Sequence, residues 1–336
     1  MFLALLETAR RKIDGVRRVV TANERIRVLI NDSTAGDPVR SVADLLPDNS
    51  DWRQLESSSG ILILYAALER FAEDLISDYL SELTQLGPFS KLPERLQKEY
   101  RNRFGQILVN LDTRRHQKLR LEDLVCAYAD CLKGTPAYKL EPRVMVTHSE
   151  NFRFPILNNL FQSCGLEQLE PWMASDNRIA RFVAEKCGGS ATVASELQAL
   201  VELRNDAAHG VPYPIPSPTQ LTNFCDFVMI VCCSLHDYVT SEALDARIAV
   251  GKARVTSLVK ESFRDGIVAI GDFENCTLEV GETLYFKTAF TCTSARIESL
   301  QLDGVETNPV NVAVNTEVGI RLNGPVRKDS QIIKML

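Results

Sequence analysis

The hydrophobic pattern of this chain changes period once, near residue 254, and that change limits it to two kinds of structure joined in series. Before that point apolar residues recur every three to four positions, as on a helix; after it they alternate in short runs between turn residues, as on strands. Residues 2–31 read as a long helix with apolar positions Leu6, Ile13, Val16, Val20, Ile26 and Leu29. Residues 32–51 are a polar connection rich in Asp, Ser and Pro. Residues 52–84 read as a second helix, and their centre, GILILYAALERFAEDLISDYL, is apolar enough to be a bundle core. Further helices are expected over 93–110, 121–132, 156–164 (capped by Gly165), 177–187 and 192–209, the last two split by Gly188-Gly189-Ser190. A long apolar helix follows near 219–247, with Phe224, Phe227, Val228, Val231, Leu235 and Tyr238. The segment 133–155, with Pro136, Pro142 and Pro155, reads as irregular.

Beyond 254 the runs IVAIGDF, CTLEVGETLYFKTAF, ARIESLQLDGVE and VNVAVNTEVGIRLNG alternate apolar and polar residues. Their Gly-Asp, Gly-Glu and Asp-Gly pairs read as punctuation between strands. The fold class expected is therefore a mainly α antiparallel helical bundle over 1–250, followed by a small all-β domain, a barrel, over 254–336.

A chain of 336 residues has room for about two domains. Its 45% hydrophobic and 24% charged residues are the composition of an ordinary globular protein. No apolar run approaches the ~18 residues of a membrane span, so no membrane partner is expected. The N-terminus, MFLALLETARRKIDGVRRVV, places apolar residues before charges, the reverse of a secretory signal, so a cytoplasmic location is expected. Nine cysteines occur without a Cys-x-x-Cys pair and read as reduced core thiols. Four histidines are scattered without ligand spacing, so neither a metal nor another cofactor is expected.

The net charge of −6 is not that of a nucleic-acid binder, but the charge is uneven. Residues 31–90 hold 11 acids and 3 Lys/Arg, whereas residues 91–120 hold 9 Lys/Arg and 3 acids. The second block, with Arg101, Arg103, Arg114, Arg115, Lys118 and Arg120, can track an RNA backbone or be a solvated face in a charge-mixed protein.

The stretch Arg204-Asn205-Asp206-Ala207-Ala208-His209-Gly210 ends the amphipathic run Ser195 to Leu203. Gly210 closes the helix and Pro212, Pro214, Pro216 and Pro218 forbid its continuation, so His209 falls in the last turn, where the helix dipole favours an imidazolium. An arginine can bind and polarise a phosphate, and a histidine can move the proton of a ribose 2′-hydroxyl. Residues five apart lie about 140° apart around a straight helix, whereas Asn205 and His209, four apart, share a face. For Arg204 and His209 to act on one phosphate, the long arginine, a loosened final turn or a partner chain must close that gap. No Gly-x-Ser-x-Gly elbow supports a hydrolase triad, and His236-Asp237 reads as a surface pair on a helix.

These residues resemble the Arg-x(4–6)-His signature of the HEPN superfamily of helical ribonucleases, in its Arg-Asn-x-x-Ala-His-Gly form. The resemblance extends to Ile63-Leu64-Tyr65-Ala66-Ala67-Leu68-Glu69, similar to the core helix of the RiboL-PSP-type HEPN group, and to the segment Asn151 to Leu166 and Leu200-Val201-Glu202-Leu203. It covers roughly residues 50–245, and only the motif is specific. It implies a helical fold, a homodimer that brings two motifs together, and metal-independent endoribonuclease activity. Arg204 and His209 carry over as catalytic and Asn205 as the residue that orients the histidine or contacts RNA; Asp206 and Glu69 are candidate supporting residues. Glu69 can point into the cleft and pair with Arg204, or sit on the helix face and pair with Arg70 or another surface cation.

The C-terminal part resembles the second-domain β-barrel of translational GTPases such as elongation factor Tu, in Leu278-Glu279-Val280-Gly281-Glu282-Thr283-Leu284, Ala295-Arg296-Ile297-Glu298-Ser299-Leu300 and Val318-Gly319-Ile320-Arg321-Leu322-Asn323-Gly324. No G-x-x-x-x-G-K-[ST] accompanies it, so no GTPase is expected. Its 9 Lys/Arg against 11 acids argue against a strong sequence-independent grip on RNA. The function expected is that of a toxin or antiviral ribonuclease acting on tRNA, ribosomal RNA or other translation RNA and restrained by an antitoxin or regulatory protein. The alternative is an inactive HEPN scaffold or RNA-binding interaction protein.

Overall fold

In helix α1 (Leu3–Ile30), Leu6, Ala9, Ile13, Val16 and Val20 recur every three to four residues and form one buried face. Ile26 and Leu29 do not continue it: both are exposed, because six- and nine-residue steps from Val20 turn them about 120° and 180° off that face. The computed structural model describes residues 1–31, 45–113, 119–135, 138–147, 150–188, 191–209 and 215–336. Of the positions expected to matter, Arg114, Arg115, Lys118, Gly210, Pro212 and Pro214 lie outside the described residues.

Helix α2 (Asn49–Leu86) carries the apolar centre, with Leu64, Leu68, Ala72, Leu75 and Ile76 fully buried. It is tied to α1 by Asn23 Nδ2 and Arg27 Nη2, which donate to the buried Glu56 carboxylate at 2.9 and 2.6 Å. Helix α3 (Glu94–Val109) and helix α4 (Leu121–Lys133) follow as the periodicity predicts.

The segment 133–155 is more ordered than its prolines suggest. Pro142 opens a short helix, α5 (Pro142–Val146), and Glu141 caps it by accepting the Arg143 amide. Proline has no N–H to lose at a first helical position, so there it starts a helix. Helix α6 (Phe154–Ser163) likewise has Pro155 in its first turn and is closed by Gly165 at φ +85. Then come α7 (Leu169–Ser175), which the periodicity left unassigned, and α8 (Asn177–Phe182), extended by a π turn over Val183–Cys187.

Helix α9 (Val193–His209) begins with a reciprocal cap. The Ser195 amide donates to Thr192 Oγ1 and the Thr192 amide to Ser195 Oγ. Helix α10 (Pro218–Ala249) bonds α1 through Asp226 and Arg17 at 2.7 Å and packs Phe227 on Phe182. By length and composition α10 could cross a membrane, but 72% of its most apolar window is buried inside the protein. His236 and Asp237, expected at the surface, are both buried, and His236 Nε2 lies 3.0 Å from the Met1 carbonyl. The reason is that every residue from 234 to 241 is buried, which takes in more than one face of this helix and leaves no wholly polar side.

The chain divides into two compact units, Met1–Leu80, Pro93–Leu124 and Glu141–His236 in one, Ser81–Leu92, Val125–Leu140 and Asp237–Leu336 in the other. The second unit holds nine strands among the described residues: β1 (Ala253–Phe263), β2 (Val268–Phe273), β3 (Cys276–Leu278), β4 (Thr283–Lys287), β5 (Cys292–Leu302), β6 (Val305–Glu306), β7 (Val310–Val312), β8 (Thr316–Leu322) and β9 (Gln331–Met335). The order β4-β9-β1-β2-β8-β5, with β5 paired back to β4, closes a six-stranded antiparallel barrel, leaving β6 beside β5 and β3 paired with β7. Closure removes the free edges that an open sheet exposes. Alternate residues fill the interior, among them Val259, Phe273, Leu284, Phe286, Ile297, Val318, Ile320 and Ile332.

Asp265-Gly266 and Asp303-Gly304 make tight turns with positive φ at both residues. Gly271-Asp272 does not; it lies inside β2. A Cβ on Gly271 would stand 2.7 Å from Ser257 Oγ and 2.9 Å from the Leu258 carbonyl, next to irregular pairing in β1, so close strand approach explains this glycine.

Candidate active site

The regular turns of α9 carry the motif to its end at His209. Arg204 is half-buried, with its guanidinium 5.2 Å from the centre of the Tyr65 ring on α2. That is cation–π range. Arg204 Nη1 donates to Asn205 Oδ1 at 3.2 Å, and the same oxygen accepts Asn151 Nδ2 at 2.9 Å. The Tyr65 hydroxyl donates to Glu69 Oε1 at 3.0 Å, accepts the Phe152 amide at 2.9 Å and stands 3.5 Å from Asn151 Oδ1.

The two ends of this chain of contacts fix its polarity. Arginine only donates, so the atom of Asn205 facing it must be the oxygen; Asn151 must then present its NH₂ group to that oxygen. At the other end the Glu69 carboxylate accepts the hydrogen bond of the phenol O–H. Burial pushes the Tyr65 phenol well above its ordinary value; the Phe152 amide opposes the rise and Glu69 adds to it. Tyr65 is therefore a neutral donor at any working pH and no base.

His209 is exposed, and among the described residues no side chain bonds its imidazole. Asn205 is engaged by Arg204 and Asn151, not by His209, so the expectation that it orients the histidine finds no contact in this chain. Arg204 and His209, five apart on a regular helix, sit about 140° apart around its axis. One buries against Tyr65 and the other faces solvent. Glu69 binds the Tyr65 hydroxyl, while Arg70 pairs with Asp74 at 2.8 Å. Asp206 is half-buried on the same helix.

The family model described as RiboL-PSP-HEPN matches residues 30–241. The chain belongs to that family. HEPN domains are commonly ribonuclease-like. The match spans every residue of the cluster around Arg204 and stops before the barrel. No curated protein matches the chain. Two crystal structures of the C-terminal domain of a Geobacillus thermoleovorans U32 peptidase are similar to part of it. The selenomethionine variant is 16% identical and the other 14%; both cover 24% of this chain at a TM-score of 0.21, with 99% and 90% of those domains covered.

Of the six basic residues expected to contact RNA, Arg101, Arg103 and Arg120 are among the described residues of this HEPN chain. Arg101 is exposed on α3. Arg103 is committed to the fold: its Nη1 donates to the Met145 carbonyl at 2.7 Å and its Nε lies 3.7 Å from Glu99. Arg120 stands between Glu122 and Asp123 at 4.0 and 3.9 Å. All nine cysteines are free thiols and six are buried; among the described residues no three His, Cys, Asp or Glu group as a metal site. The residues that motif reading missed are Tyr65 and Asn151. The available signal was a tyrosine four residues before Glu69, the spacing at which helix side chains meet.

Proposed function

We propose that this chain is a metal-independent endoribonuclease that cuts RNA by attack of a ribose 2′-hydroxyl on the adjacent phosphate. The observation that carries the reading is an arginine whose guanidinium is held by Tyr65 and Asn205 five residues before an exposed histidine, at a helix end. Arg204 binds the scissile phosphate and stabilises the charge it gains in the transition state. His209 takes the 2′-hydroxyl proton, or returns one to the leaving 5′-oxygen. The products are a 2′,3′-cyclic phosphate and a 5′-hydroxyl.

The angular separation of Arg204 and His209 favours a homodimer, in which one cleft receives both motifs and each phosphate meets an arginine and a histidine from either chain. The natural setting proposed is a cytoplasmic prokaryotic toxin or antiviral effector acting on tRNA or another translation RNA. In the barrel, Lys260 pairs with Asp272 and Glu317, Lys334 with Glu282 and Arg321 with Glu298. Cations so compensated suit a protein partner, such as an antitoxin, better than a phosphodiester backbone.

One observation favours a second reading, an inactive RNA-binding scaffold: Arg204 is half-buried on Tyr65 and so also contributes to packing. The test is incubation of wild type, Arg204→Ala and His209→Ala with total tRNA and ribosomal RNA in EDTA, followed by end-group analysis. Discrete cuts with cyclic-phosphate ends in wild type alone support the enzyme. Cleavage that persists in His209→Ala, or that EDTA abolishes, refutes the scheme. RNA bound but uncut, with Arg204→Ala chiefly less stable, supports the scaffold.

A further inference from the structure

We infer that Asn151 and Tyr65, neither of which belongs to the motif, are positioning residues that fix the direction of the Arg204 guanidinium and the polarity of the Asn205 amide. The inference rests on the ribonuclease reading above and extends it to residues 54 and 86 positions away from their contacts in the sequence. Tyr65 is 3% exposed, so its ring is a fixed plate. Its hydroxyl is clamped from two sides, by the Phe152 amide and by Glu69. A cation over such a plate has fewer directions open to it than one in solvent, and a preorganised donor need not reorganise as charge develops.

Asn151 reaches the same arginine through Asn205. A free asparagine amide can turn over and present either end. With Asn151 Nδ2 and Arg204 Nη1 both donating to Asn205 Oδ1, the flipped state would set NH₂ groups against two donors. Asn205 Oδ1 is therefore held toward Arg204, and its Nδ2, which bonds no described residue, remains as a second donor for a phosphate oxygen. Asn151 and Phe152 are adjacent, so the one backbone stretch that positions the amide also anchors the phenol. Neither residue touches the phosphate; each works through Arg204 or Asn205.

The experiment uses the full chain and two readouts. The first is the NMR signal of the Arg204 guanidinium Nε–H, bonded to the carbon that stands over the Tyr65 ring, in arginine-labelled protein and assigned by Arg204→Lys. Protons above the Tyr65 ring are shifted upfield by its ring current. The second is the rate of cleavage of total tRNA, resolved into kcat and KM. Tyr65→Leu and Asn151→Ala are expected to erase or reduce the shift and to lower kcat by roughly tenfold or more, with KM little changed. Tyr65→Phe, which loses the same hydroxyl but keeps the ring, is expected to restore both. In an Asn205→Ala background, Asn151→Ala is expected to add nothing to the loss, because its route to Arg204 is already cut.

An unshifted Arg204 signal in wild type overturns the inference. So does full cleavage in Asn151→Ala and Tyr65→Leu, equal loss in Tyr65→Phe and Tyr65→Leu, or additive loss in the Asn151/Asn205 double variant. If wild type leaves tRNA intact, the ribonuclease reading fails by itself. The NMR arm then decides alone: a shift lost in both variants supports positioning, and a shift retained in them refutes it.

Discussion

Replacing Tyr65 by phenylalanine separates what the hydroxyl does for the fold from what the ring does for Arg204. The substitution deletes one oxygen and leaves the ring beneath the guanidinium. Two groups lose a partner: the Phe152 amide, which is buried at a residue 1% exposed, and the Glu69 carboxylate, which is only half-buried. Glu69 can be rehydrated at small cost. The amide is buried, and removing a hydrogen-bond partner from a buried donor costs about 1–3 kcal/mol. With a urea dependence of about 2 kcal/mol per molar, the helical transition should shift to lower urea by ~1 M. The assay is a urea titration of the full chain followed by circular dichroism at 222 nm, beside tRNA cleavage at zero urea. Cleavage should stay within about threefold of wild type, because the cation–π contact survives. An unchanged midpoint would show that the Phe152 amide does not depend on Tyr65. Loss of cleavage in a fully folded Tyr65→Phe would show that the hydroxyl takes part in the chemistry, contrary to the role argued for it.

Other consequences can be measured independently. Arg204→Lys keeps the charge but loses the planar fork that bonds Asn205 and, in the proposed reaction, a phosphate, and should lower kcat by roughly 10²-fold or more; cleavage close to wild type would deny the guanidinium its role. Gly165→Ala places a Cβ 2.9 Å from Pro93 Cβ at φ +85, and should destabilise the helical unit by about 1–3 kcal/mol in thermal or urea unfolding. At Asp176, burial raises the carboxyl pKa, but hydrogen bonds and charge from Arg178 outweigh it and the net shift is downward. A lowered folded pKa adds stability that is present above the unfolded value and is lost as pH falls through the folded one. The advantage of wild type over Asp176→Asn should therefore shrink below about pH 4, and an advantage that grows on acidification would refute the assignment.

Much of the fold is legible in the chain, for reasons specific to its elements. Leu6, Ile13, Val16 and Val20 mark the buried face of α1 because a helix needs only local spacing, and the Asp265-Gly266 turn is visible because positive φ favours so few residues. The failures occur where a residue type has two physical uses. Pro142 ends helices in their interior and begins them at the first turn, and only the position of Glu141 decides between these. Gly271 is a turn residue by type and a point of strand approach by environment. His236 and Asp237 carry polar labels on a helix that the fold buries on several sides.

The candidate site divides in the same way. Arg204, Asn205 and His209 lie within six residues of one helix, so their type and spacing are open to reading. The contacts of Arg204 with Tyr65 and of Asn205 with Asn151 are made by tertiary packing between α9, α2 and the segment before α6, and no local pattern encodes them. Arg103 shows the converse. Its charge invited an RNA contact, and its hydrogen bond to Met145 ties it to the fold.

In the proposed reaction the 2′-hydroxyl attacks, assisted by His209 and Arg204 without a metal. It is tested most directly by mapping a cut in tRNA, then synthesising the surrounding oligonucleotide with a single 2′-deoxy nucleotide on the 5′ side of the scissile phosphate. In EDTA, the all-RNA oligonucleotide should be cut to a 2′,3′-cyclic phosphate and the deoxy-substituted one should remain whole. Cleavage of the deoxy-substituted strand at the same bond would mean that water or another nucleophile attacks, and would contradict the account.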